Sequence, residues 1–302
     1  MSILVVGTVA FDTIETPFGK ADSVLGGSAT YFSTSASYFS DVNLVAVVGT
    51  DFPDEHIESL KSRNIDVEGL KRVEGKTFRW KGRYEYDLNQ AHTLDTQLNV
   101  LSTFDPEIPE AYKKSQYVFL GNIDPDIQMK VLDQIEKPRL IACDTMNFWI
   151  EGKLDALKRL LKRVEICVIN EAEARELAGT ASLVKAAAVI LKDGPKILIV
   201  KCGEYGALMF NGKSVFSAPA YPLEEIFDPT GAGDSFAGGL MGHLAKTGDL
   251  SEPNLRKAII FGSVMASFNV EAFSLDRLKA LSLDDIQRRY GELKRLTHFE
   301  DI

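Results

Sequence analysis

Hydrophobic residues along this chain follow two alternating patterns. Short apolar runs rich in β-branched residues recur at positions 3–9, 44–48, 117–120, 140–143, 164–169 and 197–200. Between most of them lie longer stretches, at 28–39, 54–63, 126–135, 154–161 and 182–191, whose apolar residues return every three to four positions. The first kind reads as strands buried on both faces, the second as amphipathic helices. Strand and helix in alternation predict an α/β fold whose mostly parallel sheet is covered on both sides. Ligands of such sheets bind beyond the carboxyl ends of the strands, so functional residues should come just after them.

One segment departs from this rhythm. Phe78, Trp80, Gly82, Tyr84 and Tyr86 alternate with Arg79, Lys81, Arg83 and Glu85, a period of two with one aromatic and one charged face. After Asn89 and Gln90 a second alternation runs through Leu94, Thr96, Leu98 and Val100. Two such strands predict a small β flap projecting from the body, although an antiparallel edge of the main sheet fits the same pattern. Beyond Val215 no strand is predicted. Helices are expected at 234–245, 253–268 and 283–296, the last carrying Leu283, Ile286, Tyr290 and Leu293 on one stripe.

The 302 residues carry 34 Lys and Arg against 43 Asp and Glu, a formal charge of −9. An acidic chain without a basic run lacks the footprint of a nucleic-acid binder, and an anionic membrane surface would repel it. At 45% hydrophobic and 25% charged residues a packed core is expected. The length suits one large domain with an appendage. No apolar stretch approaches the roughly 18 residues of a membrane span. The start Met1-Ser2-Ile3-Leu4-Val5-Val6-Gly7 has no basic region, so it reads as a strand and not a signal peptide, and a cytoplasmic protein is expected. Cys143, Cys167 and Cys202 sit in or beside apolar runs and read as core thiols. His56, His92, His243 and His298 are scattered, which argues against a transition-metal site.

The most informative stretch is Asp228-Pro229-Thr230-Gly231-Ala232-Gly233-Asp234. Small residues at 231–233 let the backbone turn tightly where a helix starts, and its free amides with the helix dipole make an anion site. Asp234 stands beside it. Phosphoryl transfer to an alcohol needs that pair: amides to stabilise the moving phosphoryl group and a carboxylate to accept the hydroxyl proton. Two plainer readings exist, a glycine-rich turn capped by Asp and a dinucleotide loop. The second fails on context, because such a loop should follow the first strand of a βαβ unit.

With these residues the chain resembles the ribokinase-like, or PfkB, carbohydrate kinase family, whose hallmark is a Gly-Ala-Gly-Asp in the C-terminal third. The resemblance covers most of the chain. It implies a ribokinase-like three-layer sandwich, a single kinase domain over 1–302 with a central mostly parallel sheet and a small β-strand lid from about 12–25 and 75–100. It implies an anion hole at Gly231, Ala232 and Gly233, Asp234 as catalytic base, and Asp228 with Thr230 at a monovalent-cation site suited to K⁺. Asn170-Glu171-Ala172-Glu173 is similar to the family's Asn-x-x-Glu, which organises Mg²⁺ and the nucleotide phosphates, Glu173 through water; the same residues also spell a capping-box helix start. Lys201-Cys202-Gly203-Glu204-Tyr205-Gly206 resembles the nucleotide loop, with Lys201 in place of the usual Thr and able to reach a phosphate as a point charge. Lys201, Gly203, Gly206, Asn170 and Ser263 are the ATP-side candidates.

On the acceptor side, Gly7-Thr8-Val9-Ala10-Phe11-Asp12 resembles the strand end whose Asp grips the acceptor hydroxyls, and Gly26-Gly27 the glycine pair against which the acceptor lies. Asn147, in the turn Asp144-Thr145-Met146-Asn147, is a further lining candidate. Two positions depart from the ribokinase type: Ala10 and Tyr31 stand where such members carry Asn. The leading expectation is an ATP- and Mg²⁺-dependent kinase acting on an alcohol group of a sugar or polyol. A nucleoside kinase, with Tyr31 and Phe11 stacking on the base, is the alternative, and a non-catalytic sugar or nucleotide sensor comes from another class. A phosphosugar would need Arg79, Lys81 or Arg83 turned inward. The partners expected are a small-molecule acceptor and a second copy of the chain, paired through the lid, with no nucleic acid and no membrane.

Overall fold

The computed structural model describes residues 2–298 and 300. Strands Ile3–Val6 (β1), Ala10–Thr16 (β2), Gly19–Gly26 (β3), Val42–Gly49 (β4), Ile65–Val73 (β5), Phe78–Tyr84 (β6), Ala91–Gln97 (β7), Tyr117–Leu120 (β8), Leu140–Asp144 (β9), Ile166–Asn170 (β10), Ile197–Lys201 (β11), Ala207–Phe210 (β12) and Val215–Ala218 (β13) form two sheets. The larger has the order β13-β12-β11-β10-β9-β8-β1-β4-β5. It is parallel from β11 to β5, and β12 and β13 are antiparallel at one edge. The smaller has the order β3-β2-β6-β7.

The helices are Ser28–Ala36 (α1), Asp54–Lys61 (α2), Pro125–Leu132 (α3), Asn147–Gly152 (α4), Leu154–Leu161 (α5), Glu171–Ala178 (α6), Leu183–Lys192 (α7), Ala232–Thr247 (α8), Glu252–Asn269 (α9), Asp276–Lys279 (α10) and Leu283–Leu296 (α11). Alternation within the strands divides the core into two layers. Ile3, Val5, Leu44, Ala46 and Phe119 join the layer under α1, α8 and α9, whereas Leu4, Val6, Val45, Val47 and Leu120 join the one under α5 and α7. This is why the central strands are apolar at nearly every position, Asn43 in β4 and Asp144 at the end of β9 being exceptions: each face is roofed by helices, and each fully buried Val or Leu contributes about 1.5–3 kcal/mol relative to exposure. Among the described residues no helix is long and apolar enough to cross a membrane. Cys143 and Cys167 are fully buried and Cys202 is half-buried, all with free thiols.

The structure differs from the sequence expectations at several places. The first apolar run stops being a strand at Val6, because Thr8 and Ser28 exchange hydrogen bonds that anchor the start of α1: the Thr8 amide donates to Ser28 Oγ at 3.1 Å, the Ser28 amide to Thr8 Oγ1 at 2.9 Å. Asp12 is therefore carried by β2 of the smaller sheet, not by the end of a parallel strand. The flap has four strands and is separate from the main sheet. Its β7 ends at Gln97, since Asn99 takes a positive φ of 49° and turns the chain into a short 3₁₀ segment, Asn99–Thr103, that contains Val100. β5 was hidden by its Asp66, Glu68, Lys71 and Arg72, which tolerate an edge position in the sheet.

Candidate active site

Strand order across the large sheet reverses between the parallel β1 and β8, a switch point of the kind beyond which ligands of such sheets bind. Around that edge the structure gathers residues from widely separated parts of the chain. Asp144 closes β9, Asn170 closes β10 in register with Lys201, and Lys201 closes β11. α8 begins opposite them.

The start of α8 depends on its small residues. Gly231 caps the helix with φ 75°, a left-handed conformation that costs glycine little, and a side chain there would run into the ring of Tyr31. The Ser235 amide donates to the Gly231 carbonyl at 2.8 Å and the Ala232 amide to the Pro229 carbonyl at 3.1 Å. Among the described residues no acceptor takes the amides of Gly233 and Asp234, which leaves them for an anion. At Gly233 a Cβ would lie 2.8 Å from Lys201 Nζ, so only glycine leaves room for that ammonium.

Electrostatics raise several carboxyls of this cluster. Burial, then the charge of Asp144, push the Asp234 carboxyl up to about 7, against the pull of Lys201. Burial likewise lifts Asp12 to about 7 although the Gly27 amide holds it down, with Asp228 and Asp234 adding repulsion. Glu173 also rises to about 7, through burial and Asp144. Lys201 is pulled down by burial, but Asp144, Glu173 and Asp234 together outweigh that and hold it above the usual lysine range. Several carboxyls poised near neutrality in one crevice are the mark of acid–base work.

Asp12 lies directly against Gly26, where a side chain would collide with its Oδ2, and Gly27 opens α1. Across the sheet Asp12 pairs with Trp80, so the two share a face. The Trp80 ring folds over Gly82 and its Nε1 donates to Thr93 Oγ1 at 3.2 Å. Tyr84, on the same face, is buried and accepts from Thr230 Oγ1 at 3.2 Å. The opposite face is closed off by charge pairs: Arg79 with Asp51 at 3.1 Å, and Lys81 and Arg83 with Glu15 at 3.3 and 3.1 Å. None of these three cations points with Asp12.

Asn170 and Glu173 make the capping box in full. The Glu173 amide donates to Asn170 Oδ1 and the Asn170 amide to Glu173 Oε2, both at 2.8 Å. Only one carboxylate oxygen is used, so Oε1 is free to accept from a metal's hydration shell. Among the described residues no three His, Cys, Asp or Glu are placed to hold a metal unaided. That suits Mg²⁺, which arrives with phosphates and keeps several waters. At the other end of the crevice the Asp228 carboxylate is fully buried, accepting from the Thr230 amide at 2.9 Å and the Ser274 amide at 3.1 Å. Burial raises it and among the described residues no cationic side chain pairs with it, so a monovalent cation beside it would fit the charge. The Thr230 carbonyl already accepts from Asn269 Nδ2 at 2.7 Å.

The nucleotide-loop candidates form the turn from β11 to β12, with Gly203 and Gly206 both at positive φ. The Asn89 side chain, from the turn between β6 and β7, rests on Gly203. Ser263 is buried within α9. Two candidates are placed differently from expectation. Tyr31 is only 1% exposed with a ring face covered by Gly231, so it supports the anion loop and has no face open to a base. Asn147 is exposed at the start of α4, and the residue of that turn which reaches the cluster is Asp144. Sequence reasoning did not single out Tyr84, Asn269 or Ser274, whose partners at Asp228 and Thr230 lie 39 to 146 positions away.

The pfkB family carbohydrate kinase model matches residues 18–278. A cytidine kinase of Thermococcus kodakarensis is 32% identical over 258 residues, 83% of this chain and 91% of that relative. The crystal structure of a nucleoside kinase of Methanocaldococcus jannaschii superposes with a TM-score of 0.77 at 20% identity, covering 96% of this chain and 98% of that one. A putative ribokinase II of E. coli, in complex with ATP and Mg²⁺, gives 0.76 at 19% identity over 96% and 99%. The fold is therefore the ribokinase fold.

Proposed function

The chain belongs to the pfkB family of carbohydrate kinases, and on that premise we propose that it transfers the γ-phosphoryl group of ATP to a hydroxyl of a nucleoside. The acceptor oxygen forms the new bond to phosphorus as the bond to the bridging oxygen breaks and ADP leaves. Asp234 takes the hydroxyl proton, and the amides of Gly233 and Asp234 receive the charge on the phosphoryl oxygens. Bound Mg²⁺ would supply neutralisation of the phosphates, with Glu173 holding its water shell.

The observation that carries the nucleoside reading is the register of Asp12 with Trp80. One grips hydroxyls while the other, beside it on the same face, offers an indole for a base to stack on. Of the two positions where ribokinase-type members carry Asn, Ala10 is apolar and buried, and Tyr31 is a buried ring in place of an amide. With Arg79, Lys81 and Arg83 paired on the far face, a phosphosugar would meet no free cation there. The relative named for cytidine supports the same choice, so the nucleoside alternative displaces the sugar or polyol that the sequence put first. ADP release with cytidine, uridine, adenosine and inosine, compared with ribose, fructose and inositol, tests it. Higher kcat/KM for a free sugar or polyol than for every nucleoside would overturn it. Replacing K⁺ by a large organic cation in the same assay tests Asp228 and Thr230, with activity expected to fall.

A further inference from the structure

Lys201 has a setting that nucleotide binding alone does not explain. Its Nζ is 3.1 Å from Asp144 Oδ2, in a pair of which the lysine side chain is 19% and the aspartate 6% exposed. Asp144 is itself held on two sides: its Oδ1 accepts from the Thr145 amide at 2.8 Å, and Gln128 Nε2 bridges its carbonyl to those of Leu120 and Gly121. The ammonium is thereby aimed at the backbone of Gly233, in the anion hole. The groups facing it are Asp144, Glu173 and Asp234, and Lys201 reaches all three.

We propose that Lys201 is a catalytic cation of this site, placing its ammonium on the oxygens of the transferring phosphoryl group, and that Asp144 is the positioning residue that aims it. This rests on the kinase reading above. A fixed charge at that point gains strength as negative charge builds on the phosphoryl oxygens, so it acts on kcat and not on acceptor affinity. The alternative is a plain ion pair tying the ends of β9 and β11.

The variants K201M, D144N and the double variant D144N/K201M separate the two. K201M is expected to lose about 10²-fold or more in kcat with acceptor KM changed less than about 3-fold. D144N is expected to lose less, and to move the acid limb of its kcat–pH profile to lower pH, since the charge of Asp144 helps hold Asp234 high. Should K201M fold poorly with Asp144 left unpaired, the double variant removes the whole pair; it regains stability but not kcat. Recovery of kcat in the double variant, or K201M near wild type, would overturn the proposal.

Binding of ADP with and without aluminium fluoride, a mimic of the moving phosphoryl group, gives a second readout. Wild type tightens with fluoride and K201M does not; equal tightening in both also overturns the proposal. A wild type that tightens, loses this in K201M, and turns over no acceptor would count against the kinase reading while Lys201 stands.

Discussion

Asp234 stands half-buried at the first turn of α8, with repulsion from Asp144 and attraction from Lys201 acting on the same carboxyl. Asp234→Asn keeps its size and its place in the helix but cannot accept the hydroxyl proton, so kcat should fall by about 10²- to 10⁴-fold while ATP binding persists. Stability should move the other way. The folded carboxyl titrates near 7, above its unfolded value, so the folded state holds its proton from about pH 4 to 7 and this contribution is lost as pH rises through that window. At pH 8 the Asn variant should melt higher than wild type, and at pH 5 the difference should shrink; a lower Tm at pH 8 would refute the electrostatic account. Glu173→Gln separates a cap from a metal organiser in a different way. Gln still caps α6 but offers no full charge, so the Mg²⁺ concentration for half-maximal rate should rise with little change in Tm. A drop in Tm with unchanged Mg²⁺ dependence would leave Glu173 as a cap alone.

Among the elements, the smaller sheet carries Asp12 and Trp80 on one face. Its β7 is exposed at every position and its β6 buries Tyr84 against Thr230, so the aromatic face is met by its own chain at that point. Trp80→Ala should raise KM for the acceptor more than KM for ATP, because the indole shares a face with Asp12, whereas the nucleotide-loop turn lies at the end of β11. Equal changes in both KM values would sever Trp80 from the acceptor. Legibility varied by element for physical reasons. Helix α11, with a clean apolar stripe, was readable to its ends, and the alternation in β6 declared its two faces. Strands β2 and β3 show no pattern of their own and are expected only through the family resemblance, as the lid segment at about 12–25, since Lys20, Asp22 and Ser23 blur any alternation and a bulge falls between Asp12 and Ile14. Asp144 was passed over for Asn147 because its partner lies 57 residues on, a contact that exists only after β9, β10 and β11 align.

For the molecule as a whole, three carboxyls are each pushed up to about 7: Asp12, Glu173 and Asp234. Asp12 lies on β2 of the smaller sheet, and Glu173 and Asp234 lie in the first turns of α6 and α8. The ligand-free protein should therefore lose Tm steadily from pH 5 to pH 8, and Mg²⁺ with ATP should return part of it by binding the folded state alone. Asp285, held down to about 2 chiefly by the Ser282 hydroxyl, works in a separate window, its contribution lost only as pH falls below about 4. A flat melting profile between pH 5 and 8 would contradict the setting described for the three carboxyls. Association through the lid, the pairing the sequence suggested, is checked by sedimentation at micromolar concentration, where a dimer is expected.

Asp12 rides on β2, inside the smaller sheet, while Asp234 stands on α8 against the larger one. The grip and the base proposed above thus belong to two different bodies of secondary structure, and the proposed pocket needs these to be apposed. Apparent acceptor affinity is the intrinsic affinity multiplied by the fraction of molecules in that arrangement. The Thr16 hydroxyl, which donates to the Phe227 carbonyl at 3.0 Å and so ties β2 to the segment leading into α8, then becomes a dial on affinity that is blind to the identity of the acceptor. Selection could tune substrate capture by rewriting that contact, and leave the recognition chemistry as it is.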